Sequence, residues 1–354
     1  MSSEKLTKAI EQIKSNTAWR DAFIQKLVEL ENALSAPGFD PRDAITGPIV
    51  DALFSDDDVV RKGISDGTQF EFLYRSKITR DFVMSHPATP DHAWEPQTTR
   101  LLVHLARGAK TVVIGGAYFG DHALLIAKEA AKTGGTVHAF EPDSGQREML
   151  ARNAKLNNIG NIIPRPEGLW DNSNDQIVLV GHDSVAHPQA VEGTDSDAFK
   201  TVTIDGYLAS AGATQLDLIM VDIEGAEHRA LMGAKNFLAK PVGEAPKIVF
   251  EVHRHYVDWT HGLENTDLIG FLKSFGYHAF AVRDFNSNYD MAGKPIEIIP
   301  AADVYLEGPP HGFNMVAVKD PAIFSKDKFQ ICKGVSPKLL RHKDPALHHP
   351  MGGL

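Results

Sequence analysis

The residues best suited to chemistry stand at four points where an apolar run gives way to acid or imidazole. Thr111-Val112-Val113-Ile114 breaks into Gly115-Gly116-Ala117-Tyr118-Phe119-Gly120 and then Asp121; Thr136-Val137-His138-Ala139-Phe140 ends in Glu141-Pro142-Asp143. Leu218-Ile219-Met220-Val221 ends in Asp222-Ile223-Glu224-Gly225-Ala226-Glu227, and Lys247 to Val252 is followed by His253 and His255, with Glu251 inside it. The glycines permit a sharp turn and let a ligand approach the backbone without a Cβ in the way. Glu141, at the tip of the second run, can accept one hydrogen bond per oxygen from the two hydroxyls of a ribose. Two residues apart on an extended strand, His253 and His255 are expected to face the same way. Duller readings exist for each: Asp222 as a helix cap, Glu224 and Glu227 as acids favoured at a helix N-terminus, one histidine as a packing residue. A divalent ion held by Asp222, Glu251 and His253 is chemically permitted, but the spacing is no known ligand signature and no metal is assigned.

Such groups meet only if the strands lie side by side and point the same way. The runs alternate with helical patterns: Leu124 to Ala131 after the glycine turn, Met149 to Leu156 after Asp143, and Leu268 to Leu272 before a strand at His278 to Val282. A short strand from Asn161 to Pro164 ends near Glu167, and a last strand covers Phe313 to Val318. This repetition predicts an α/β fold, a mostly parallel sheet with helices on both faces and ligands at the carboxyl ends of its strands. Between Asp171 and Val202 the chain reads as a hairpin with a long acidic loop, His187 to Ala198, expected to be mobile.

Ahead of this unit, apolar residues recur at helical spacing across Glu4 to Leu34, and further helices are expected over Gln69 to Met84 and Gln97 to Arg107. The expected division is therefore a helical region over 1–100 for packing or oligomerisation, a nucleotide-binding domain over 101–319, and a surface tail over 320–354. The first region carries enough apolar positions to suggest a homodimer through its helices. A formal charge of −10 over 354 residues argues against nucleic acid as the main partner. One cysteine, Cys332, rules out an intrachain disulfide and a cysteine metal cluster. No run approaches the ~20 apolar residues of a membrane helix, and the start of the chain lacks a signal-peptide pattern. No membrane partner and a cytoplasmic location are the expectations.

The motifs Gly116 to Gly120, Ala139 to Asp143, Val202-Thr203-Ile204-Asp205, Leu218 to Glu227 and Ile248 to His253 together resemble the FkbM-type S-adenosylmethionine-dependent methyltransferases, in order and spacing over about Trp94 to Lys319. Asp-Ile-Glu-Gly-Ala-Glu is the most specific of them. The resemblance implies a class I methyltransferase fold, S-adenosylmethionine as cofactor, and methylation of a hydroxyl on a sugar or natural-product small molecule. It places Gly115, Gly116, Ala117, Tyr118, Gly120, Glu141, Pro142 and Glu167 around the cofactor. The family usually ends its first strand in an acid, where this chain has Ile114, and has Asn at Tyr118. Glu95, Asp121 and Asp222 are then the groups left to hold the methionyl ammonium. A base for the acceptor's proton is expected in the order His253, Asp222, Glu224. Two rival readings are a non-catalytic S-adenosylmethionine-binding protein and, less well supported by the glycine turn, a nicotinamide-dependent dehydrogenase.

Overall fold

The computed structural model describes residues 3–34, 36, 39–181, 187–190, 198–285, 287–306, 312–325 and 328–339. Apolar spacing across the N-terminal run resolves into α1 (Ser3–Lys14) and α2 (Thr17–Leu34), the break marked by Asn16, whose side chain accepts the Trp19 N–H. There follow α3 (Gly47–Asp51), the hairpin β1 (Val59–Gly63) and β2 (Gln69–Leu73), α4 (Lys77–Val83) and α5 (Pro96–Leu105). The helix expected from Gln69 to Met84 is thus a strand followed by a short helix. The reason lies in Phe70 and Phe72, which alternate with Gln69 and Glu71 and are both buried, a period of two rather than 3.6.

Next come β3 (Thr111–Gly115), α6 (Ala123–Ala131), β4 (Thr136–Phe140), α7 (Ser144–Leu156) and β5 (Ile162–Arg165). β6 (Gly168–Leu169), β7 (Gln176–Val180), β8 (His187–Ala190) and β9 (Phe199–Val202) form a separate small sheet. Then α8 (Ile204–Ser210), β10 (Leu218–Val221), α9 (Glu227–Met232), α10 (Lys235–Leu238), β11 (Lys247–Val252), α11 (Asp267–Ser274), β12 (His278–Val282), β13 (Ile296–Pro300), β14 (Phe313–Val318) and β15 (Phe329–Ile331) complete the α-helices and strands among the described residues. The large sheet has the order β15-β13-β12-β14-β11-β10-β3-β4-β5. From β11 to β5 every pairing is parallel, and β14 enters antiparallel between β11 and β12. This is the class I methyltransferase arrangement that the resemblance implies.

Two apolar layers sandwich the sheet. Val112 and Ile114 face Leu101, Leu102, Leu124 and Leu150 on one side, while Val113, Ile219 and Val221 face Leu208, Leu231, Leu268 and Leu272 on the other. Strands buried on both faces read as unbroken apolar runs, which is why these were visible in the sequence. β13 and β15 were not foreseen. Nor does the segment after Lys319 simply drape over the surface: β15 pairs with β13, and Lys338 and Leu339 are buried. Residues 340–354 of that expected tail, and 191–197 of the expected acidic loop, lie outside the described residues.

The N-terminal region is packed onto this body. Phe70 and Phe72 meet Phe119 of the glycine turn, and Phe82 packs on both of them, in a cluster of tilted and edge-on rings. Asn153 on α7 takes the Glu71 N–H on its oxygen and donates to the Glu71 and Phe119 carbonyls, and Asn157 brackets the Gln69 N–H and carbonyl in the same way. Two side-chain amides thus stand beside β2 where a further strand would hydrogen-bond. Among the described residues no helix is long and apolar enough to cross a membrane.

Candidate functional site

A cleft of about 1170 Å³ opens over the carboxyl ends of β3, β4 and β10. Gly115, Gly116, Tyr118, Asp121, Glu141, Pro142, Glu167, Asp222 and Glu224 line it, as the sequence led us to expect. Ala117 and Gly120 do not line it. Ala117 is buried, its N–H on the Phe140 carbonyl, and a Cβ on Gly120 would strike Leu124 and Leu150. Gly116 has φ +75°, and a Cβ there would lie 1.8 Å from the Asp222 carbonyl oxygen. The glycine is therefore demanded by β10 packing against the turn, not by the approach of a ligand.

Glu141 is 7 % exposed, and each of its oxygens takes one backbone N–H: Oε2 from Tyr118 at 2.8 Å, Oε1 from Asp143 at 3.0 Å. These bonds fix the carboxylate at the rim of the cleft and leave each oxygen a lone pair for a further donor. Burial pushes its pKa up to about 7, against the lowering effect of the two N–H groups. Asp143 caps α7 through the Gln146 N–H, and Arg147 donates to the Glu141 and Pro142 carbonyls, bracing the same turn. Glu167 lines the cleft but is already paired with Arg165.

At the other side of the glycine turn a charged group gathers that the sequence did not reveal as a unit. Glu95 precedes α5 in a left-handed conformation (φ 46°), is buried, and accepts a 2.7 Å hydrogen bond from Asn314 of β14. His122 is 5 % exposed and lines the cleft; its Nε2 lies 3.7 Å from Glu95 Oε2 and 3.9 Å from Asp121 Oδ2. Burial would lower the His122 pKa, but Asp121, Glu95 and Asp222 outweigh it and hold the imidazole at about 9. His122 was missed because the glycine turn was read only as far as Asp121. Its neighbour across the turn, Glu95, is some 30 residues earlier, where only the fold could join them. Behind Glu95, Lys338 from the C-terminal segment and Asp284 after β12 are buried in the same charged group, which burial and the surrounding acids hold at about 8 and about 6 respectively.

Asp222, Glu224 and Glu251 bring carboxylate oxygens within 4.8 Å of one another. Burial raises the pKa of Asp222 and Glu251 well above the carboxylate range, helped by Glu95, Glu224 and Glu227 at Asp222 and by Asp222 and Glu224 at Glu251. Glu224 sits at the loop tip with φ 50°, half-buried, its pKa raised to about 7 by burial and by Glu227. Glu227, expected only as an acid at a helix N-terminus, stands at the first residue of α9, and its carboxylate also accepts the Ile223 and Gly225 N–H groups and closes the loop. His253 lies just beyond the end of β11, so the two-apart strand argument does not govern it. Its Nδ1 accepts the His255 N–H, its ring stacks on His255 at 4.8 Å, and neither histidine lines the cleft.

Part of the cleft wall comes from the N-terminal region: Asp56, Asp57, Arg75, Ile78 and Trp94, residues in which the sequence offered no legible chemistry. Trp170, Ile177, Leu179 and Phe199 supply apolar surface from the small sheet.

Residues 115–279 match the family model described as Methyltransferase FkbM domain. No curated protein matches the chain. Among solved structures, the chain is similar to Methyltransferase FkbM from Methylobacillus flagellatus KT, at 16 % identity and TM-score 0.36, over 60 % of this chain and 44 % of that one. It is also similar to M. jannaschii TYW2 in complex with AdoMet, at 14 % identity and TM-score 0.36, over 75 % and 87 % of the two chains. A third likeness is to the Pyrococcus abyssi tRNA (uracil-54, C5)-methyltransferase in complex with S-adenosyl-L-homocysteine, at 15 % identity and TM-score 0.33, over 74 % and 44 %. The chain thus spans less than half the length of the first and third of these. All three likenesses are weak, and the fold rests on the strand order given above.

Proposed function

From the Methyltransferase FkbM domain at residues 115–279 as premise, we propose that this protein is an S-adenosylmethionine-dependent O-methyltransferase acting on a hydroxyl of a small molecule, a sugar or natural product. The observation that carries the reading is Glu141, buried at the cleft rim with one backbone N–H on each oxygen and one lone pair left on each, the arrangement a ribose diol requires. The cofactor fits the charge of the cleft as well, because its sulfonium and ammonium would face Asp121, Asp222 and Glu95. S-adenosylmethionine supplies an electrophilic methyl group; alignment of the acceptor and removal of its proton fall to the chain. Glu224 is the base we place first, since it lines the cleft and titrates near neutral pH; Asp222 comes second and His253, off the cleft lining, third. Eight carboxylates line the cleft against the guanidinium groups of Arg75 and Arg147, which favours a neutral or cationic acceptor over a phosphodiester chain.

Calorimetry against S-adenosylhomocysteine, NAD and NADP tests the cofactor. Binding of the first alone is expected, and binding of NAD instead would overturn the reading in favour of a dehydrogenase. Glu141→Ala is expected to weaken S-adenosylhomocysteine by roughly ten- to a hundredfold, the loss of a charged hydrogen-bond acceptor; unchanged affinity would remove Glu141 from the site. Release of S-adenosylhomocysteine across a panel of hydroxylated metabolites then separates an enzyme from a protein that only binds the cofactor.

We also propose a homodimer through α1 and α2. Leu6 and Trp19, 65 % and 61 % exposed, stand on these helices with Leu30, apolar surface that a second copy would cover. Light scattering at micromolar concentration is expected to give twice the chain mass, and Trp19→Glu to halve it. A monomeric parent would end the proposal.

A further inference from the structure

The buried charges around His122 fix more than its pKa. Thr99 Oγ1 donates its single proton to the Trp94 carbonyl at 2.8 Å, so toward His122 Nδ1, 3.0 Å away, it acts as acceptor. His122 therefore carries a proton on Nδ1, and Nε2 is the nitrogen that titrates. That nitrogen lies 3.7 Å from Glu95 Oε2 and 3.9 Å from Asp121 Oδ2; His122 and Asp121 line the cleft, and Glu95 is buried beside them without lining it. These separations exceed a hydrogen bond. They approach instead the roughly 4 Å or more expected between acceptors sharing one ammonium, each at about 2.8 Å.

We infer that His122 is a placeholder for the ammonium of the cofactor's methionyl group: its Nε2 proton is lost to solvent as the ammonium binds, and Nε2, Glu95 Oε2 and Asp121 Oδ2 become the three acceptors of the ammonium. The exchange swaps one positive charge for another among the same carboxylates, so the net charge of the buried group is unchanged. It also accounts for a first strand that ends in Ile114, because the ammonium is held from α5 and from the turn before α6 instead. Glu95 on the α5 side, Asp121 on the same turn and Asp222 at the end of β10 face the imidazole, with Asp284 and Lys338 behind Glu95. At neutral pH these hold His122 charged until the ammonium arrives. This inference rests on the cofactor reading above, and the test separates the two.

Calorimetry near pH 7.5 in buffers of different ionisation enthalpy counts the protons exchanged on binding. S-adenosylhomocysteine is expected to release close to one proton per chain. 5′-Methylthioadenosine, which has the nucleoside and no amino-acid group, should release none. His122→Asn is expected to abolish the release while still binding 5′-methylthioadenosine with parental affinity, which also certifies that the cleft is folded. If the parent binds neither ligand, the cofactor reading fails. If it binds both and releases no proton with S-adenosylhomocysteine, the placeholder is wrong; if His122→Asn releases one as before, the placeholder is also wrong and the proton belongs to Asp121 or Asp222.

Discussion

Glu224→Gln is expected to fold, to bind S-adenosylhomocysteine within about threefold of the parent, and to turn over at least roughly 10²-fold more slowly, the usual scale for loss of a general base. Gln keeps the shape of the side chain at a backbone position with φ 50° and removes only the ability to accept a proton. Because burial and Glu227 raise the Glu224 pKa to about 7, parental turnover should climb as pH rises through that value and then level off. The variant should lack this limb. His253→Ala serves as the contrast, since its ring packs on His255 and Tyr256 away from the cleft lining. A Glu224→Gln enzyme at parental rate, with His253→Ala slowed about 10²-fold, would restore the histidine as base.

The free chain should unfold at a higher temperature near pH 5 than near pH 8, against the common pattern for proteins stabilised by ionised acids. Glu141, Glu224 and Glu227 each have a folded pKa of about 7 against an ordinary value of 4.5, chiefly through burial. Between those values the folded chain holds protons that the unfolded chain has lost, so each step up in pH through this window costs stability. His122 acts in the same direction at higher pH, its stabilising proton being lost as pH rises through about 9. Lys338, lowered to about 8, opposes the trend only above that pH. For buried Glu141 alone the full shift is on the order of 3 kcal/mol, and a loss of roughly 5 °C or more in Tm is expected between the two pH values. A Tm that is flat or rises from pH 5 to pH 8 would contradict this account.

The sheet was legible because its central strands are buried on both faces and so appear as unbroken apolar runs ending in polar tips, as in Val112 to Ile114 and Leu218 to Val221. Glu141 and Asp222 were legible for the same reason: a carboxylate closing such a run stands at the ligand-binding edge. The hairpin at Val59 to Leu73 was hidden by its shortness and by the helix that follows it. What the sequence could not reveal is contact across long intervals. Glu95 meets Asn314 and Lys338 joins the acids from the far end of the chain, and Arg75 and Ile78 reach the cleft from a region read as packing. His253 stands off the cleft lining, because β11 stops one residue before it.

Asn153 and Asn157, whose amides bracket the backbone of β2, bear on where this chain can be cut. The segment that matches the family, 115–279, contains both asparagines but not the strand they hold, nor Phe70 and Phe72 that cover Phe119. A fragment starting at residue 115 would present buried amides and an aromatic face to water, while the hairpin alone would have too little core to persist. The smallest piece of this protein expected to fold by itself therefore reaches back at least to β1, with its N-terminal portion packed as part of the same body.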